Sequence, residues 1–405
     1  MKTDLHPLFR DTEEGEEAEA ILRSCVHCGF CTATCPTYQE LGDERDGPRG
    51  RIYLIKQLLE EGEATEKTRK HLDRCLTCRS CETTCPSGVQ YGRLVDIGRY
   101  VVERQQRRPL QERLLRWGLR QVLPYANRFT PLLRLGQMVK PLLPAYLHNK
   151  IPAKQTPSPW PKSSHHRVMV ALAGCAQPAA TPNTNAAAAR VLDKLGITLV
   201  EPPKAGCCGA MSYHLSEHDE GLNFARRNID AWWPAIESGA EAVVITASGC
   251  GTMVKEYGHL LASDPLYAEK AQKISALARD LSEVIAAEDL TALQFNDKGQ
   301  KTAVHCPCSL QHGQQLPDSV EKILTDAGLN LAATKDKHLC CGSAGTYSLL
   351  QPQMSQQLLE NKLQALTADN PERIVTANVG CQIHLASKAE VPVQHWIEVI
   401  DEATG

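Results

Sequence analysis

Two stretches of the chain carry cysteine at every third position and close on a Cys-Pro step. They are Cys25-x-x-Cys28-x-x-Cys31-x-x-x-Cys35-Pro36 and Cys75-x-x-Cys78-x-x-Cys81-x-x-x-Cys85-Pro86. No other feature limits the fold as strongly. Soft thiolates at this spacing sit on one tight loop, which can set three sulfurs against three corners of an iron–sulfur cube. Proline then fixes φ where the chain leaves. A pair of zinc knuckles would instead show Cys-x-x-Cys pairs separated by a longer loop. The runs therefore predict two [4Fe–4S] clusters. In two-cluster ferredoxins the fourth cysteine of each run serves the other cluster. The expected sets are Cys25, Cys28, Cys31 and Cys85 on one, and Cys35, Cys75, Cys78 and Cys81 on the other. Gly29 and Gly88 are expected to relieve crowding beside the clusters, and His27 to face solvent or a sulfur rather than bind iron.

Composition supports redox or metal work. The chain holds 17 cysteines in 405 residues, an odd total that does not suit simple pairing. Its first twenty residues are acidic and lack the apolar core of a signal peptide. No run approaches the ~18 apolar residues of a membrane span. The expectation is a cytoplasmic protein whose cysteines are not spent on disulfides. A net charge of −3 gives no overall attraction to nucleic acid. Five Phe and five Trp suit Ala- and Leu-rich helical packing.

The cysteines also divide the chain: eight lie in 25–85, none until Cys175, and nine in 175–381. Around the first block the spacing predicts helices. Ile52, Ile55 and Leu59 form one stripe, and Leu94, Ile97 and Val101 another. Residues 104–150 are basic, with ten Lys or Arg against Glu112 alone, leucines between them, and Pro124, Pro131, Pro141 and Pro144 breaking the helices. Residues 152–163 read as a linker. From about 167 a repeat begins. Each copy alternates β-branched runs with helices, and Cys175 to Cys207 spans 32 positions, as does Cys308 to Cys340. The predicted class is α+β multidomain: a helical ferredoxin domain (1–103), a basic amphipathic connector (104–166), and two α/β cysteine-rich repeats (167–296 and 297–405). Strand ends of a parallel sheet converge. Cys175, Cys207, Cys208 and Cys250, and likewise Cys308, Cys340, Cys341 and Cys381, are therefore candidates for a further metal centre, a metal-free thiol crevice being the alternative. Cys306 lies outside the pattern, and His214, His305 and His312 are given no role.

The repeat resembles the CCG cysteine-rich domain of heterodisulfide reductase subunits over residues 168–405. That family closes its motif with Cys-x-x-Cys and can carry a non-cubane cluster; here Met253 and His384 stand at the last positions, and His384 could add a ligand. The whole chain resembles the iron–sulfur subunits of bacterial glycolate oxidase. The stretches ILRSCVHCGFCTATCPTYQELGDERDGPRGRIYLIKQ, HLDRCLTCRSCETTCPSGV, HLCCGSAGTY and VTANVGCQIHLAS carry the likeness. The resemblance implies an electron relay beside FAD-binding flavoprotein subunits that turn glycolate into glyoxylate, passing electrons to quinone or the inner-membrane surface. No Gly-x-Gly-x-x-Gly or Walker motif places FAD, NAD or a substrate-oxidising site on this chain. Arginines among leucines suit an anionic membrane face or a subunit contact. Two competing readings are a relay for lactate or glycerol-3-phosphate oxidation, and a disulfide-reducing enzyme. The cysteines missing at 253 and 384 argue against the latter.

Overall fold

The computed structural model describes residues 1–142, 144, 151–296 and 299–405; Leu143, Leu147 and Lys150 of the connector, and residue 297, where the second repeat was drawn to begin, lie outside them. The N-terminal block is a cage of helices. Glu13–Ser24 is capped by Thr12, whose hydroxyl accepts the Gly15 N–H at 3.1 Å. Pro48–Glu61 starts on proline and stops at left-handed Gly62. Glu66–Asp73 and Tyr91–Gln105 complete the cage. Their inward stripes, among them Leu22, Ile55, Leu59, Leu72 and Leu94, form one core, and Cys25, Cys75 and Cys81 lie at its edge. The cysteine loops are thus held by packed helices.

The connector departs from expectation twice. Pro124 separates two helices, Leu110–Val122 and Ala126–Val139, but Pro131 sits inside the second without ending it. Its missing N–H removes one hydrogen bond near the helix start, which the helix tolerates. The arginines also do not share a face. Arg108 pairs with Asp73 at 2.7 Å, Arg116 with Asp73 at 3.4 Å, and Arg120 with Glu217 at 3.0 Å and with Glu220. Those side chains point into the protein, while Leu114, Trp117, Leu132, Leu135 and Met138 point out.

Each repeat builds a parallel sheet. In the first, β1 (Arg167–Ala171), β2 (Ile197–Val200), β3 (Val243–Ile245) and β4 (Ala278–Asp280) lie in the order β2-β1-β3-β4. In the second, β5 (Thr302–His305), β6 (Arg373–Thr376) and β7 (Val393–His395) lie in that order. Residues 329–335, which stand where the first copy has β2, form only a single bridge from Leu331 to Thr302. The repeats share a core. The C-terminal helix Trp396–Thr404 crosses to the helix Asn183–Lys194 of the first copy, and Trp396, Ile397 and Ile400 belong to the same core as Val191 and Leu192. Thr184 Oγ1 donates to Glu398 at 2.7 Å, and Arg190 Nε donates to Asp401 at 3.0 Å.

Candidate functional site

Both ferredoxin loops curl in the same way. The second and fourth residues after the leading cysteine are left-handed: His27 (φ 59°) and Gly29 (φ 89°) in one loop, Thr77 (φ 53°) and Arg79 (φ 60°) in the other. Alternating handedness closes a chain around a ball, and aims successive N–H groups and sulfurs inward. Gly88 is also left-handed (φ 63°), but nothing lies within 4 Å of where its Cβ would stand; conformation rather than crowding calls for glycine there. His27 is exposed.

Cys25, Cys28, Cys31, Cys81 and Cys85 line one cavity, with Pro86 and Arg49 on its wall. Burial, then the neighbouring Cys25 and Cys85, pushes the Cys31 thiol up to about 11. Burial likewise raises Cys81, with the neighbouring Cys78, Cys75 and Cys35 adding to it. Among the described residues, none of the eight joins a group of three metal-binding donors within 4.8 Å.

The two surroundings differ. Cys28 is exposed, and the first loop carries Val26 (68% exposed) and Phe30 (63%) outward. The second set lies against Arg51, which is 1% exposed. Arg51 donates to the His71 carbonyl at 2.8 Å and to Thr37 Oγ1 at 3.1 Å, and its Nη1 lies 4.0 Å from Cys35 Sγ. Burial pushes the Cys75 thiol up, but Arg51, Arg99, the Thr77 N–H and the Tyr91 hydroxyl outweigh it and hold it below its ordinary value. Asp46, wholly buried, balances the cation: its carboxylate meets His71 Nδ1 at 2.8 Å, Arg74 at 2.7 Å and Arg51 at 3.7 Å.

The repeats bring together the four cysteines predicted for each. Sulfur contacts run Cys175–Cys207–Cys208–Cys250 in the first and Cys308–Cys340–Cys341–Cys381 in the second, where Cys308 and Cys340 are 3.8 Å apart. Cys250 and Cys381 open the helices that follow β3 and β6, at the carboxyl ends of the strands. Each Cys-Cys pair is followed by a glycine in the left-handed region, Gly209 (φ 90°) and Gly342 (φ 85°). A Cβ there would lie 2.4 Å from the Gly221 carbonyl oxygen and 2.6 Å from that of Ser355. The Cys-Cys-Gly motif is therefore a packing requirement as well as a ligand pattern.

The second ferredoxin loop rests on the second repeat. Leu76 packs with Cys340, Tyr347 and Leu358, and Cys78 and Cys308 meet at the edge of this cluster. Tyr347 Oη donates to the Arg74 carbonyl at 3.1 Å, Thr83 Oγ1 and His312 Nδ1 are 2.8 Å apart, and Arg79 pairs with Glu256 at 2.5 Å. His214 bonds Asp96 at 3.1 Å. His214 and His312 thus tie the blocks together. His384 Nε2 bonds Ser355 Oγ at 3.1 Å, and the histidine grouped with the sulfurs is His305. Sequence reasoning gave His305 no role; its signal is that the equivalent position of the first copy, three before Cys175, holds Leu172.

Twin cysteine loops on a helical cage, fused to two Cys-Cys-Gly repeats, define an iron–sulfur electron-transfer protein, and the comparisons agree. Residues 21–89 match the 4Fe-4S dicluster domain, and residues 169–255 and 302–386 each match the cysteine-rich domain. The glycolate oxidase iron-sulfur subunit of Escherichia coli (strain K12) is 56% identical, covering 100% of this chain and 99% of that one. A probable glycolate oxidase iron-sulfur subunit of Bacillus subtilis (strain 168) is 31% identical over 97% of this chain and 95% of its own. Lactate utilization protein A of Bacillus velezensis is 29% identical, over 54% of this chain and 92% of its own. A crystal structure of a hypothetical protein from Helicobacter pylori superposes with TM-score 0.59 at 11% identity, covering 98% of this chain and 73% of that one, a likeness of fold alone. The chain belongs to the family of glycolate oxidase iron–sulfur subunits, and carries [4Fe–4S] clusters in its N-terminal part.

Proposed function

We propose that the chain takes electrons from a FAD-bearing subunit, where glycolate becomes glyoxylate, and delivers them to quinone at a membrane surface. Oxidising a 2-hydroxy acid releases two electrons, and a cubane, when bound, takes up and returns one at a time. In this reading Cys25, Cys28, Cys31 and Cys85 hold the outer cluster, and Cys35, Cys75, Cys78 and Cys81 the inner one. Val26 and Phe30 exclude water where the donor docks. Arg51 and Arg99 supply positive charge where the inner cluster gains an electron. Residues 1–103 form the relay, 104–166 its connector, and 167–296 and 297–405 the repeats.

The observation that carries this is the grouping of the sulfurs, with Cys85 in the cavity of the first loop and Cys35 beside the second. Paramagnetic resonance of reduced, anaerobically purified variants tests it. Cys25→Ala and Cys85→Ala are expected to leave the same residual spectrum, with iron falling from about eight to about four per chain. A Cys85→Ala spectrum matching that of Cys78→Ala instead would overturn the exchange.

Membrane delivery is supported by the connector's outer face. Trp117 (57% exposed) and Met138 (73%) stand out with Leu114, Leu132 and Leu135, and no acidic partner pairs with Arg113 or Arg134 among the described residues. No described helix is long and apolar enough to cross a membrane. An apolar face rimmed by unpaired arginines suits the boundary of an anionic bilayer. Trp117→Glu with Leu135→Glu is expected to cut co-sedimentation with anionic vesicles at least tenfold. Unchanged binding rules out this face.

A further inference from the structure

The connector meets both repeats around one cavity of about 400 Å³. Lys140, Ile151 and Gln155 line it from the connector, Thr181 from the first repeat, and the helix Val379–Ala386 and β7 from the second. Ile151, Ile383, Ala386 and Val393 give it apolar walls. Thr181 and Gln382 are 3% and 4% exposed, and neither Thr181 Oγ1 nor Gln382 Oε1 has a hydrogen-bond partner. Gln155 Oε1, on the connector side, is a third such oxygen. Buried polar atoms are ordinarily satisfied, so three unsatisfied oxygens on residues lining one cavity call for a ligand. The terminal amide torsion of glutamine is broad, and a small turn brings either amide to what the cavity holds. Apolar walls with a few polar groups, where domains meet, are the usual make-up of a small-molecule site.

The polar groups select the ligand. The Thr181 hydroxyl both donates and accepts, and each glutamine amide has donors on its nitrogen and an acceptor oxygen. The charged residues of the lining are Lys140, whose ammonium donates to the Ile151 carbonyl at 2.7 Å, and Lys388, which holds Glu360 at 2.5 Å; no acidic residue lines the cavity among the described residues. A ring bearing two carbonyl oxygens takes hydrogen bonds from Thr181 and the lysines. Once reduced to a diol, it donates from its hydroxyls to the amide oxygens of Gln382 and Gln155. Inorganic phosphate would satisfy the lysines but leave the amide oxygens unpaired and the apolar walls bare. Position agrees with chemistry. Gln382 directly follows Cys381, the last sulfur of the line that starts at Cys308 beside Cys78. At the opposite wall, Gln137 Nε2 of the connector helix donates to the Pro152 carbonyl at 3.1 Å, and its neighbours Leu135 and Met138 point outward.

We infer that this cavity binds the head group of a membrane quinone, with Thr181, Gln382 and Gln155 as its hydrogen-bonding residues and Lys140 and Lys388 as its cations. The inference rests on the relay reading above and names the place of delivery. Reduction there takes two electrons, supplied singly by the relay, and two protons from solvent, and turns both carbonyls into hydroxyls.

Stopped-flow reoxidation of the full chain, purified anaerobically and reduced with dithionite, by a short-tailed benzoquinone in detergent tests this. Wild type is expected to be reoxidised at a rate that saturates in quinone. Thr181→Val with Gln382→Leu, which keeps the volume, is expected to raise the half-saturating quinone concentration by about tenfold or more. Ala386→Trp, which fills the cavity, is expected to abolish saturation. A soluble one-electron dye needs no cavity and is expected to reoxidise wild type and variants alike, and their full iron content reports that they fold. Where Ala386→Trp loses iron, the milder pair decides. A wild-type rate that rises linearly with quinone, or an unchanged half-saturation in the variants, overturns the cavity and leaves quinone as the acceptor. Wild type that reduces the dye but not the quinone overturns both readings.

Discussion

Arg51→Met is expected to lower the midpoint potential of the inner cluster by on the order of 100 mV and to shift the outer one by less than a third of that. Reduction adds one negative charge to a cluster. A guanidinium about 6 Å away stabilises that charge by about 3 kcal/mol at an effective dielectric of about 20. For a one-electron couple, ~1.4 kcal/mol corresponds to about 59 mV. Arg51 is the group positioned to act this way, because it is fully buried against Cys35 and fixed by Thr37 and the His71 carbonyl. Arg49, beside the outer cavity, is partly exposed, and water screens it. Arg51→Lys keeps the charge and is expected to shift the potential less than half as far. A redox titration followed by paramagnetic resonance reads both clusters at once. Equal shifts in the two, or none in either, would refute a local effect.

The counter-charge gives the largest expected loss of stability. Asp46 is wholly buried and joins His71, Arg74 and Arg51, while its carbonyl accepts from Thr37 Oγ1 at 2.8 Å. Taking away one partner of a buried ion network leaves the others uncompensated, at about 3–5 kcal/mol. Asp46→Ala is therefore expected to lower the unfolding free energy of the reduced, cluster-loaded protein, read from urea titration, by that amount. Asp46→Asn keeps the shape and some hydrogen bonds, and is expected to lose somewhat less. A loss under ~1 kcal/mol in Asp46→Ala would show that the cations find other partners.

Arg51 and Asp46 also mark what could be read in the amino acids and what could not. The cysteine runs are local: ligand spacing along one loop reports the chemistry without knowledge of the rest. The repeat was legible for a similar reason, since a spacing of 32 recurs between Cys175 and Cys207 and between Cys308 and Cys340. Arg51 sits in a stretch of alternating charge and apolar residues, where an arginine reads as solvent-facing. The approach of the segment from Cys35 to Asp46, and of the helix that ends near His71, encloses it. Arg108, Arg116 and Arg120 read as an outward basic face because their acids, Asp73, Glu217 and Glu220, lie far away along the chain. His305 was passed over because one histidine at a strand end is unremarkable until the loop carrying Cys341 and the helix opened by Cys381 come together beside it. Comparing the two copies position by position would have shown it, as the one polar residue where its twin holds Leu172.

The helix Trp396–Thr404 carries a further consequence, for how the molecule is made. Thr184 and Glu398, bonded to each other, are separated by 214 positions. During synthesis the Asn183–Lys194 helix is made long before its cover exists, so the face carrying Thr184 and Arg190 waits without its partner while the second repeat is being translated. The first repeat, although made earlier, closes last. A nascent chain interrupted anywhere before Trp396 leaves that seam open, and the cell meets it as a sticky, half-built intermediate rather than as a shorter working protein.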